Sequence, residues 1–167
     1  RPTDFFGLIN FSSRPIKIFP LTQKHDAIQK AISSSTLGRS LAETDISAVL
    51  IDGLNYFQNR HYTASRVLML ISDGGALIDP ITRVKIKELA NKYRVSMYWI
   101  YLRGRGSPGI VNEDMNEDAV GAVPEFFLNQ YFKSLGVPYK VYEASDSEQL
   151  KMALEEIDKL QKMPTRF

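Results

Sequence analysis

The sequence predicts an α/β protein in which helices cover both faces of a mostly parallel, doubly wound sheet. Three observations carry this. After an opening pair of strand-like segments, strand-like and helix-like patterns alternate to the end of the chain, as crossover connections between parallel strands require. Two of the strands, Arg66–Ser72 (RVLMLIS) and Ser96–Leu102 (SMYWIYL), are continuous apolar runs, the pattern of strands buried on both faces. The 167 residues are enough for one domain with its own core.

The elements follow in order. Phe5–Ser12 (FFGLINFS) is short and apolar. Arg14–Leu21 (RPIKIFPL) alternates, with Ile16 and Ile18 on one face and Lys17 and Phe19 on the other. The SSRP turn between them predicts an antiparallel hairpin. Residues 25–35 (HDAIQKAISSS) read as a short helix and TLGRSLAE as a loop. Thr44–Asn59 places Ile46, Val49, Leu50, Leu54 and Phe57 on one helical stripe. After the Arg66–Ser72 strand, Asp79 and Pro80 are an N-cap and a first helical residue, with Ile86, Leu89, Ala90 and Tyr93 facing inward. Ser96–Leu102 is the next strand, and residues 103–123 form a polar, glycine-rich loop. Pro124–Leu135 is a helix stopped by Gly136, and Tyr139–Ala144 a last strand. Ser145 with Glu148 predicts a capping box. The final helix runs to about Lys162 with Leu150, Ala153, Leu154, Ile157 and Leu160 inward. One domain over residues 1–162 and a short tail over 163–167 are expected.

Composition narrows the function. The net charge of +2 supplies no field for nucleic acid or an anionic membrane as the main partner. There is no cysteine, which removes disulfides, thiol catalysis and thiolate metal sites. Two histidines, His25 and His61, make a histidine-rich zinc site a poor reading. No apolar run approaches the about 20 residues that span a bilayer. The opening RPTDFFGLINF shows no signal-peptide pattern and enters a strand at once, as a chain beginning inside a domain would.

Chemistry in a parallel sheet collects outside the carboxyl ends of its strands. Asp73 stands there, in Ser72-Asp73-Gly74-Gly75. It either caps its own turn or offers a carboxylate to a metal or substrate. Thr44 either N-caps its helix or presents a hydroxyl at the same rim. A hard cation such as Mg²⁺ takes oxygen ligands of this kind, but one Thr and one Asp are too few alone. NEDMNEDA (112–119) reads as a calcium loop with Asp114, Asn116, Asp118 and Glu125, or as a solvated loop. Ala119 stands where such a loop needs glycine. RGRGSPG (103–109) lacks the spacing of a phosphate-binding loop and reads as a flexible or partner-contacting loop. No Ser-His-Asp arrangement is present.

The stretches FGLINFSSRPIKIFPLT, AETDISAVLIDGL, RVLMLISDGG and VSMYWIYLRG resemble, in that order, a von Willebrand factor type A domain. The resemblance is strongest to the bacterial membrane-anchored type of aerotolerance and methanol-oxidation operons, and EEIDKLQKMPTRF is similar to the stretch before their second transmembrane helix. It implies a Rossmann-like fold with one antiparallel strand and a metal-ion-dependent adhesion site made by three loops. Thr44 matches the second loop and Asp73 the third. The D-x-S-x-S of the first loop is not in these 167 residues; its strand and helix would precede Arg1. Where the family often has Gly before the Thr, this chain has Glu43.

The implied function is a non-enzymatic binding module. Mg²⁺, Mn²⁺ or Ca²⁺ would bridge to an acidic residue of a partner protein, during assembly or maturation of a cell-envelope complex. It would sit on the periplasmic face of the bacterial inner membrane, with membrane contact only through segments outside this chain and no nucleic acid as partner. A missing central strand would leave apolar surface that a neighbouring copy could cover, giving a homo-oligomer. Alternatives are a metal-free interaction scaffold and, less favoured, a metal-dependent phosphoester hydrolase using Asp73.

Overall fold

The computed structural model describes residues 4–11, 15–24, 26–27, 30, 45–61, 65–104, 109–110 and 124–162. The chain divides into two compact units, Arg1–Arg60 and His61–Phe167.

In the first unit, β1 (Phe6–Phe11) and β2 (Pro15–Thr22) pair antiparallel, with Phe6 opposite Thr22 and Phe11 opposite Pro15. This is the predicted hairpin, shifted by one residue at its ends. The register slips on either side of Leu8. Asp26, Ala27 and Lys30 are helical; the rest of the predicted 25–35 helix lies outside the described residues. Helix α1 spans Ile46–Asn55 and buries Ile46, Val49, Leu50 and Leu54, the predicted stripe. Its N-cap is Asp45, whose carboxylate accepts the Ala48 N–H at 3.0 Å. Thr44 lies outside the described residues. The helix ends four residues earlier than expected. Phe57 and Gln58 donate to the carbonyls three residues back, tightening the last turn, and Asn59 turns left-handed at φ 59°.

The second unit is a parallel sheet of β3 (Arg66–Ser72), β4 (Val95–Leu102) and β5 (Tyr139–Ala144), in the order β3-β4-β5. Arg66 pairs with Val95, and Met97 with Tyr139. Helices α2 (Pro80–Lys92), α3 (Pro124–Lys133) and α4 (Ser147–Lys162) follow the three strands in turn. Strand alternation sends Tyr98 and Ile100 to one face of β4, where Ala144 and the α4 residues Ala153 and Ile157 complete a core cluster. It sends Trp99 to the other face, where the α3 side chain Phe132 meets it edge-on at 5.7 Å. Helices thus cover both faces of a parallel sheet, as predicted.

Three expectations are corrected. First, among the described residues β3 has one sheet neighbour, β4, and only Leu70 and Ser72 of it are buried. Its apolar run matches that of β4, but double-faced burial follows from a central position, which β4 holds. Second, the start of α4 moves by one residue. Asp146 accepts the Gln149 N–H at 2.8 Å, and Gln149 reaches back to the Ser145 N–H at 2.8 Å. Asp146 therefore caps, and Gln149 holds the N–H of the residue before the cap, in place of a Ser145–Glu148 box. Third, Leu154 is exposed rather than inward. The start of α2 is as expected: Asp79 accepts the Thr82 N–H at 3.0 Å and Pro80 opens the helix. Gly136 stops the turn after α3 at φ 79°, a conformation that favours glycine. Among the described residues no helix is long and apolar enough to cross a membrane.

Candidate functional site

The candidate site is the carboxyl-end rim of the β3-β4-β5 sheet. At the end of β3, Ser72 is buried, and its hydroxyl bridges two neighbours. It accepts the Trp99 indole N–H at 2.9 Å and donates to the Gly74 carbonyl at 2.9 Å. The indole thus anchors the turn that follows β3. Asp73 projects from that turn and is exposed.

Gly75 brings the turn against the start of α3. Its N–H donates to the Glu125 carboxylate at 3.1 Å. A Cβ added to Gly75 would stand 2.6 Å from the Glu125 Cα, inside any van der Waals contact. At Gly74 the nearest atom to an added Cβ is a Glu125 carboxylate oxygen at 3.6 Å, an ordinary contact. Of the two glycines only Gly75 is required by space.

The ends of β4 and β5 are tied separately. The Arg103 N–H donates to the Ala144 carbonyl at 2.8 Å, and its guanidinium lies 3.8 Å from the Glu143 carboxylate. Glu143 also accepts the Ile110 N–H. Buried Asn129 donates to the Ile110 carbonyl at 3.4 Å and accepts the Tyr139 hydroxyl at 2.8 Å. The described ends of the 103–110 loop are held by a carboxylate and an amide of the domain itself.

Of the two sequence-predicted ligands, the structure places Asp73 at the rim, and Thr44 lies outside the described residues. NEDMNEDA lies outside them too. Among the described residues no group of three or more His, Asp and Glu side chains is arranged to hold a metal. Asp73 itself fits a hard cation: it is a solvent-facing carboxylate on a turn whose backbone is fixed by two neighbours. Ser72 is buried at the foot of this turn, and its hydroxyl serves the Trp99 indole and the Gly74 carbonyl. Trp99, which sequence reasoning missed, and Glu125, which it offered only as a calcium-loop ligand, position the turn from other elements. The signals were a lone Trp in a buried strand and a carboxylate directly after the helix-opening Pro124.

Comparison with known proteins bears on this arrangement. Residues 1–76 match the von Willebrand factor type A domain family. No curated protein matches the chain. Among solved structures, an aerotolerance-related membrane protein from Bacteroides fragilis NCTC 9343, carrying multiple mutations to serines, is similar at 20% identity. Its TM-score is 0.61, over 94% of this chain and 80% of that one. An uncharacterized membrane-spanning protein from Vibrio fischeri aligns at 21% identity and a TM-score of 0.34, over 96% and 78%. Residues 1–76 thus match the von Willebrand factor type A family, and the chain's fold is similar to that of the aerotolerance-related protein, in line with the resemblance read from the strand motifs.

Proposed function

We propose that this is a non-catalytic protein-binding module that engages its partner through a divalent cation at the sheet rim. The observation that carries the reading is the Asp73 turn: an exposed carboxylate at a parallel strand's end, on a backbone pinned by Trp99 through Ser72 and by Glu125 through Gly75. Asp73, with Thr44 and first-loop hydroxyls that the family resemblance supplies, would hold Mg²⁺ or Mn²⁺. The ion would supply an open coordination position for a partner's carboxylate. The residues of this chain contribute the fixed turn, and the fold's resemblance to an aerotolerance-related membrane protein supports a role in assembling or maturing a cell-envelope complex.

A test is calorimetric titration with Mn²⁺, followed by partner binding with and without EDTA, in the wild type and in Asp73→Ala. The expected outcome is binding that EDTA abolishes and that Asp73→Ala weakens at least tenfold without changing the thermal melt. Partner binding indifferent to both sinks the metal-bridged reading. A metal-free scaffold is the second reading, favoured by the absence, among the described residues, of any group of three or more His, Asp and Glu side chains arranged to hold a metal. It predicts no Mn²⁺ heat and EDTA-resistant binding.

A further inference from the structure

We propose that the outer face of α2, together with Phe127 of α3, docks on an anionic lipid surface. Four exposed side chains on and around α2 are apolar where solvent calls for polar ones. Ile81 is 84% exposed, Leu77 67% and Val84 57%, and Phe127 beside them is 45% exposed. At 100° per residue, Ile81 and Val84 lie on the outward stripe of the helix, opposite buried Ile86 and Ala90.

Cations flank that stripe on both sides. Lys85 and Lys92 lie on one flank and Lys87 on the other; Arg83, beside Lys87, is turned inward, its Nε–H donating to the Ile78 carbonyl at 2.7 Å and its guanidinium over the Tyr131 ring. The groove between α2 and α3, about 490 Å³, is lined by Arg83, Lys87, Val84 and Phe127 among others, and no carboxylate lines it. Glu88 is the one acid on the exposed side of the helix beyond the capping Asp79, and at 100° per residue it falls between Ile81 and Val84 on the outward stripe.

This combination discriminates between occupants. Protruding apolar side chains suit insertion at a headgroup boundary. Long cationic side chains flanking them can reach phosphates while their stems stay on the apolar surface. An apolar stripe between basic flanks is the pattern of a helix lying in a membrane interface. The charge is local: the whole chain carries only +2, so the field belongs to this face. Few apolar side chains take part, so the contact is weak and reversible, and the apolar and electrostatic terms are both needed.

The test is co-sedimentation of the 167-residue chain with phosphatidylcholine vesicles and with mixed phosphatidylcholine/phosphatidylglycerol vesicles. The chain is expected to partition to the anionic vesicles alone, less so as salt rises. At about fivefold per cation lost near the surface, Lys85→Glu/Lys87→Glu lowers the partition coefficient on the order of 25-fold or more. Ile81→Ser/Val84→Ser lowers it as well while leaving the thermal melt in place, because both side chains are already in water. Equal partition to neutral and anionic vesicles, or none to either, overturns the proposal. So does self-association in sedimentation velocity that Ile81→Ser/Val84→Ser removes without any vesicle binding, which would make the face an interface between copies.

Discussion

At the scale of the residue, the turn after β3 shows how one glycine can be read and another misread. Ser-Asp-Gly-Gly marks a turn in any sequence, and the rim position of Asp73 follows from the strand pattern. The different standing of Gly74 and Gly75 does not, because it depends on Glu125, fifty residues away. Gly75→Ala is expected to destabilise by about 1–3 kcal/mol in urea unfolding, the usual range for overpacking. The obstruction is the Glu125 backbone, so Glu125→Ala does not relieve it. A Gly75→Ala/Glu125→Ala pair as stable as Glu125→Ala alone contradicts this packing. Thr44 illustrates the converse. Its neighbour Asp45 takes the N-cap, a distinction that two adjacent residues able to cap leave open in sequence.

At the scale of the element, α4 carries the sharper lesson. Its amphipathic stripe, Leu150, Ala153, Ile157 and Leu160, was legible as period 3.6, and Ala153 and Ile157 enter the core while Leu150 and Leu160 pack against it. Its first residue was not legible, because Ser145, Asp146 and Ser147 can all cap and only the backbone path out of β5 selects among them. Asp146→Ala is expected to cost about 1 kcal/mol, measured by thermal melting. Ser145→Ala should cost less, since the Ser145 N–H still meets Gln149. Equal costs would restore the capping assignment read from sequence. Strands β3 and β4 teach the same point for sheets: similar apolar runs, paired among the described residues on one side and on both sides respectively.

At the scale of the whole molecule, buried phenols link the helices to the sheet and limit stability at high pH. Tyr139 donates to Asn129, and Tyr131 donates to the Arg83 carbonyl at 2.8 Å, joining α3 to β5 and to α2. Burial pushes the Tyr131 hydroxyl up to about 12, with Arg83 pulling the other way, and pushes Tyr139 up further still. Both values lie above the ordinary 10, so the native state holds these protons more tightly than the unfolded chain. Their contribution is complete below about pH 10 and is lost as pH climbs through the Tyr131 value. Absorbance titration of the eight tyrosines should show a late fraction ionising together with loss of the circular dichroism signal. Complete ionisation with the fold intact would show that these phenols are not held by burial. The order of strands and helices, the hairpin, and the carboxylate at the end of β3 were all determined by sequence, because each rests on short-range periodicity and turn chemistry. Which strand is central, which glycine is obligatory, and which side chains pin the Asp73 turn were decided only by tertiary structure. Those properties arise from contacts between residues tens of positions apart, whose distances no local pattern encodes.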